Sequence, residues 1–429
     1  MLNKLAYFGG TKSIKTASPH WEWPPKSKGK IRAINNYYKT ESMDGVYFPR
    51  AVKDFEKNFC IYQKSKYSLS FNSGTSSIHA AFFAVGVKEK DEVLVPALTF
   101  HSTATPLVQL GAIPVICDAQ LDTGNIDPKS IEKKITSKTK ALIITHLCGH
   151  PCDMDEILKI CKKNKIKLIE DCSHAHGATY KGKKVGSFGD ISCFSLGNQK
   201  MLAAGEGGIL VTNNREYFEK SLLISDFSQR LSDQITIPKF KKFIETGVGF
   251  KHRIHPLSAT IANHELSRIN YYITKRNKVL NKFSNSISNI PGISGPITKK
   301  GNFRGAFFGY RPFFKSEELG NITINNFIKI LNAEGMEIRR ASHNPLHLLN
   351  LFSHIKETYK FLNKDVKNNY IKKNHLPNAI KFYNSTLSIP TFTFEKKKLI
   401  ENYISCFQKV CNILSKSSAI DINKKLSVK

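Results

Sequence analysis

The sequence predicts an α/β protein with a mainly parallel sheet, and three observations carry that prediction. Between about residues 65 and 215, runs of β type alternate with segments of helix length. The longest apolar runs, such as 141–145 and 209–212, are the length of strands and far short of the ~20 residues a membrane span needs. The chain has 429 residues, too many for one simple core, so a second domain is expected.

The elements follow in order. Residues 67–71 read as a short strand, and Asn72-Ser73-Gly74-Thr75-Ser76-Ser77 leads into an apolar helical stretch over 78–85. Residues 92–96 read as a strand, 102–110 as a helix and 113–118 as a strand. Further strands are expected at 141–145 and 167–170, and 191–195 with 208–212 look like a closing pair. After residue 255 the texture changes. Residues 256–272 read as one long helix, 290–305 as a Gly/Pro/Ser/Asn-rich connector, 306–314 as a strand, and 322–334 and 395–414 as helices. The last fifteen residues are polar and are expected to fray.

Composition excludes several classes. The N-terminus lacks a secretory apolar core and a small-residue cleavage site, so a cytoplasmic protein is expected. Nine cysteines, an odd number in apolar settings, suit reduced thiols better than a disulfide framework. The cluster His146-Leu147-Cys148-Gly149-His150-Pro151-Cys152 offers metal-ligand types on one tight loop. No second cluster at finger spacing accompanies it, so a strand end turning through Gly149 and Pro151 is the better reading, and no metal is expected. The net charge of +31 raises polyanion binding, but the lysines are spread along the chain without an RNA-binding aromatic signature. The expectation is no specific nucleic acid and a compositional bias toward Lys, Asn and Ile.

The chemistry lies in three segments. In Ile169-Glu170-Asp171-Cys172-Ser173-His174-Ala175-His176-Gly177-Ala178, Asp171 ends an apolar strand, where an open α/β sheet places its ligands. An acid there can pair with a protonated pyridine nitrogen, although the same residue by itself could be a helix cap. Lys200 follows 29 residues later in Phe194-Ser195-Leu196-Gly197-Asn198-Gln199-Lys200, ahead of Gly205-Glu206-Gly207-Gly208. A lysine held in such a loop can form an imine with an aldehyde and then carry a proton; a lone lysine is more often at the surface. Ser73-Gly74-Thr75-Ser76 at a helix start can aim backbone amides at a phosphate or can simply cap the helix. In Val95-Pro96-Ala97-Leu98-Thr99-Phe100-His101-Ser102-Thr103, Phe100 can stack on a flat ring or pack in the core.

Together these motifs resemble the DegT/DnrJ/StrS family of sugar aminotransferases, which depend on pyridoxal 5′-phosphate (PLP) and have the aspartate aminotransferase type I fold. The resemblance extends to Leu5-Ala6-Tyr7-Phe8-Gly9-Gly10, to Gly249-Phe250-Lys251-His252-Arg253-Ile254-His255-Pro256 and to Asn344-Pro345-Leu346-His347. It implies an N-terminal arm over 1–30 and a large cofactor-binding domain over 31–275 with a mainly parallel seven-stranded sheet. A smaller α+β C-terminal domain over 276–414 and a polar tail over 415–429 complete the expected organisation.

The resemblance also implies site roles. Lys200 matches the Schiff-base lysine and Asp171 the partner of the pyridine nitrogen. His174 falls beside the cofactor's phenolic oxygen. Gly74, Thr75 and Ser195 match phosphate contacts, and Phe100 matches the stacking aromatic. Lys251 stands where many members carry an Asn that reaches the neighbouring subunit's cofactor, which implies a homodimer with shared active sites. Gly197-Asn198-Gln199 and Gly9-Gly10 resemble the branch that includes cyclitol aminotransferases. The implied reaction moves an amino group from glutamate or glutamine to a keto-sugar or keto-cyclitol. Arg253, His255, Arg311, Arg339, Arg340, His343 and His347 are candidate substrate contacts. The alternative is a retired aminotransferase scaffold that binds or regulates.

Overall fold

The computed structural model describes residues 1–43, 48–341, 344–354 and 376–427. At its centre is a seven-stranded sheet. Its strands are β1 (Tyr67–Phe71), β2 (Glu92–Pro96), β3 (Ile113–Cys117), β4 (Thr139–Thr145), β5 (Lys167–Asp171), β6 (Ile191–Ser195) and β7 (Gly208–Thr212). They lie in the order β1-β7-β6-β5-β4-β2-β3. Pairings among β2 to β6 are parallel, while β7 runs antiparallel to both β1 and β6. The closing pair expected at 191–195 and 208–212 is therefore present.

Burial on both faces explains the apolar strands. In β4, Ala141, Leu142, Ile143 and Ile144 are all fully buried. Strand periodicity divides them: Ile143 and Ile169 join Val93 and Val95 in one core, while Leu142, Ile144 and Leu168 join Leu94 in another. A third core lies under β6 and β7, where Phe194, Ile209 and Val211 meet Phe55 and Phe59 of the helix Arg50–Gln63.

A separate core holds the C-terminal part. Phe283, Phe327, Phe407 and Leu414 pack there with Leu2, Leu5 and Ile14 of the N-terminal arm. The arm is fixed to it by Glu334, which accepts from the amides of Ala6 (2.8 Å) and Ser13 (3.0 Å).

Three expectations are corrected. The segment 256–272 is not one helix. It breaks at Ser267 and Arg268 between Pro256–Leu266 and Ile269–Ile287, where the Ser267 hydroxyl bonds back to the His264 carbonyl at 2.7 Å. The second helix crosses residue 275. The strand expected over 306–314 shrinks to Phe313–Phe314, because Gly305, Phe307 and Gly309 take positive φ values of 55°, 45° and 75°. The tail contains a helix, Ala419–Ser427, whose Ile422 is completely buried against Gly320. Ile422, with Leu426 partly buried beside the same core, docks this polar segment.

Candidate active site

A cleft of about 340 Å³ opens at the carboxyl ends of β2, β5 and β6, and it gathers most of the residues singled out in the sequence. Gly74, Thr75, Phe100, Asp171, His174, Ser195 and Lys200 all line it, as does Glu206. Lys251 does not; it is exposed, on the segment that hydrogen-bonds Asn72 through the His252 carbonyl (2.8 Å). Of the seven candidate substrate contacts, His343 lies outside the described residues and the other six do not line the cleft. Arg253 pairs with Asp226 at 3.6 Å, His255 caps a helix, and Arg340 binds Asn384.

Each wall has a local cause. The turn Asn72-Ser73 ends β1 and starts the helix Gly74–Ala84, where the Ser73 hydroxyl accepts from the Ser76 amide at 3.1 Å. The helix start lies against β6, and a Cβ on Gly74 would come within 2.8 Å of the Ser195 Cβ, so glycine permits the approach. The first amides of that helix and the Ser195 hydroxyl thus share one end of the cleft.

Asp171 closes the back of the cleft at the end of β5 and is only 3% exposed. Thr103 donates to one carboxylate oxygen at 2.7 Å and the Ser173 amide to the other at 3.0 Å. Thr99 in turn bonds Thr103 (2.6 Å) and Thr145 (2.8 Å), so a hydroxyl chain fixes the carboxylate's orientation. No role was assigned to Thr99 or Thr103 from the sequence, although both fall in the same segment as Phe100.

Lys200 sits on the tight turn after β6. Its amide donates to the Gly197 carbonyl at 2.8 Å, and its own carbonyl accepts from the Trp23 indole at 2.9 Å. Burial is the largest influence on its amine and pushes it down to about 8, against upward pulls from Asp171 and Cys148. Phe308 completes the wall, with its ring 4.1 Å from the Lys200 Nζ and stacked on His174 at 4.2 Å. Phe308 carried no direct signal along the chain, since 306–314 read as a strand. Phe100, 41% exposed for so large an apolar side chain, lies on the lining with its ring 4.1 Å from that of His101.

The His/Cys cluster near the cleft is committed to the fold. His146 Nδ1 accepts from the Cys152 amide at 3.0 Å, which leaves the proton on Nε2 to bridge to Glu170 at 3.1 Å. His150 meets the Pro151 carbonyl (2.7 Å) through one nitrogen and the Lys299 amide (3.1 Å) through the other. The ligand atoms of His146, Glu170 and Cys172 lie within 4.8 Å of one another, but Glu170 is already occupied by backbone and side-chain donors. All nine cysteines are free thiols, eight of them buried. Among the described residues, no helix is long and apolar enough to cross a membrane.

Comparison with known proteins identifies the family. The model of the DegT/DnrJ/EryC1/StrS aminotransferase family matches residues 49–404. The GDP-perosamine synthase of Caulobacter vibrioides is 32% identical over 325 residues, spanning 74% of this chain and 84% of that protein. The L-glutamine:2-deoxy-scyllo-inosose aminotransferase of Streptoalloteichus tenebrarius is 28% identical over 340 residues, 77% of this chain and 79% of that one. The crystal structure of an aminotransferase from Psychrobacter cryohalolentis superimposes with a TM-score of 0.81 at 25% identity, covering 92% of this chain and all of that chain. The chain belongs to the DegT/DnrJ/EryC1/StrS aminotransferase family and is an enzyme of the pyridoxal-phosphate class.

Proposed function

We propose that the enzyme moves an amino group from glutamate or glutamine to the carbonyl of a keto-sugar or keto-cyclitol, with Lys200 as its reactive amine. One observation carries the reading: Lys200, the Asp171 carboxylate and the amide-bearing helix start at Gly74 face a single cleft. GDP-perosamine synthase, the more similar of the two relatives, favours a nucleotide-linked keto-sugar, and the inosose aminotransferase supports a cyclitol.

The residues fit the cofactor. Gly74 and Thr75 at the helix start, with Ser195, would hold its phosphate; Asp171 its ring nitrogen; Phe100 its ring face. His174 would lie beside its phenolic oxygen and Lys200 at its aldehyde carbon. When bound, the cofactor supplies an electron sink for the bond being broken. Asp171, oriented by Thr103 and the Ser173 amide, would keep the proton on the ring nitrogen. Lys200 would take the proton from the donor's α-carbon and return it at the cofactor's aldehyde carbon, across the imine nitrogen, in the first half-reaction, and reverse that path in the second. With its amine brought down to about 8, Lys200 has a substantial neutral fraction near neutral pH.

Lys251 belongs to the same reading through a second copy of the chain. Its exposed position beside Phe250, itself 50% exposed, supports a contact across a two-fold interface. Sedimentation tests it: a monomer that retains full activity defeats the dimer, and Lys251→Ala should weaken cofactor retention. The test of the reaction is a half-reaction screen. The amine-loaded enzyme should lose its pyridoxamine absorbance with a subset of keto-sugars or keto-cyclitols and with none if the substrate class is wrong.

A further inference from the structure

Phe308 is carried to Lys200 by a turn whose backbone is strained. Arg304, buried below it, donates to the carbonyls of Ile297 (2.5 Å) and Cys148 (3.4 Å). Gly305 approaches so closely that a Cβ would stand 2.2 Å from the Ala178 amide nitrogen. The Ala306 amide donates to the His176 carbonyl at 2.8 Å. Phe307 then takes a φ of 45°, unusual for a bulky residue, with its side chain buried in the C-terminal core beside Tyr310. Such a conformation persists only where its surroundings over-determine it, and it concentrates at functional sites. Its consequence here is direction: Phe307 enters the C-terminal core while Phe308 enters the cleft.

We propose that Phe308 is a positioning residue that receives the free amine of Lys200, holding the ammonium form over its ring while His174 stacks on the same ring. The basis is the 4.1 Å approach of Nζ to the ring centroid and the 19° between the Phe308 and His174 planes. A cation is attracted to an aromatic face, most strongly where water is excluded. Phe308 therefore retains the proton on Lys200 longer than an aliphatic wall would. The other titratable or charged groups around Lys200 are Asp171, His174 and His176 from β5 and its loop, Cys148 after β4, Glu206 on the lining and Arg304 beneath the turn. Burial first, and the Lys200 charge second, push His176 down to about 3, so it does not exchange protons with Lys200 in the working range.

The inference rests on Lys200 being the reactive amine. The experiment uses the full-length enzyme converted to its amine-loaded form with glutamine, in which Lys200 is not covalently engaged. Competitive acetylation across a pH series, read by peptide mass spectrometry, gives the titration midpoint of Lys200. Phe308→Leu should lower that midpoint by about half a unit to one unit, and Phe308→Tyr should leave it in place. Pentafluorophenylalanine at position 308 keeps the shape but reverses the ring's charge distribution, and should lower the midpoint at least as far as leucine. It also decides the matter if the leucine variant does not fold. An unshifted midpoint in the fluorinated protein overturns the assignment, as does a tyrosine variant that shifts like leucine. A wild-type chain that shows no visible imine absorbance with added PLP sinks the functional reading itself, an outcome distinct from either of these.

Discussion

Glu170 and Asp171 are adjacent carboxylates at the end of β5, and the pleat sends them to opposite faces of the sheet. On one face, Glu170 is wholly buried and accepts from the amides of Gly186 (2.7 Å), Phe188 (2.8 Å) and Gly189 (2.6 Å), from Ser192 (3.2 Å) and from His146 (3.1 Å). Burial opposes its ionisation, but the His146 hydrogen bond and the glycine amides outweigh that and hold the group below its ordinary range. On the other face, Asp171 accepts from two donors and looks into the cleft. The same functional group, one residue apart, is a closed clamp in one place and an oriented, still available acceptor in the other. Identity does not separate structure from chemistry here; the number of donors already spent does.

The sharpest way to test that division starts at Lys200. Lys200→Ala should abolish imine absorbance and cut turnover by about 10⁴-fold or more, leaving the melting transition in place. Asp171→Asn should come next, with turnover down by at least about a hundredfold and stability changed by about 1 kcal/mol, seen as a slow enzyme with a nearly normal melt. Glu170→Gln should give the mirror image. It leaves a buried cluster of donors without its charge and should cost about 3 kcal/mol in denaturant titration, with turnover per folded molecule preserved. If Asp171→Asn unfolds the protein while Glu170→Gln silences it, the comparison is backwards.

The two faces should also differ in pH dependence. Glu170 has a folded pKa below its ordinary 4.5, so its contribution is fully present above that value and is lost as pH falls through the folded value. Acid unfolding of the wild type should therefore be steeper than that of Glu170→Gln. Lys200 has a folded pKa of about 8 against an ordinary 10.5, so the folded state binds fewer protons than the unfolded one between those values. Its contribution to stability consequently rises with pH across that window, and its neutral fraction, hence turnover, climbs through about pH 8. A pH–rate profile flat from 7 to 9 would defeat the second statement. The smallest effect is expected at Trp23→Phe, which removes one hydrogen bond to the Lys200 carbonyl while keeping the ring. It should change turnover by a few-fold, of the order of one hydrogen bond, about 1 kcal/mol.

Much of this site was legible in order along the chain. The strand-end position of Asp171, the small-residue helix start at Gly74 and the Gly-rich surroundings of Lys200 are local features, and the cleft brings all three together. Thr103 was half legible, lying three residues after Phe100 with nothing to say that its hydroxyl would meet a carboxylate 68 residues away. Phe308 and Trp23 were not legible, because their roles arise from contacts across more than 100 residues and carry no local signature. The helix break at Ser267 and the docking of Ile422 eluded periodicity for the same reason: a side-chain bond to the backbone and tertiary packing settled them.

The sequence by itself determined the α/β class, the seven strands of the sheet and which candidate residues to look for in the cleft. Apolar periodicity and turn chemistry act over a few residues and can be read without a partner. Only the tertiary structure decided how the neighbouring Glu170 is spent, what lies against the lysine, and that Lys251 stands outside its own chain's cleft. Those outcomes depend on which donors and rings converge in space. Burial then multiplies their electrostatic weight, as it does for Lys200.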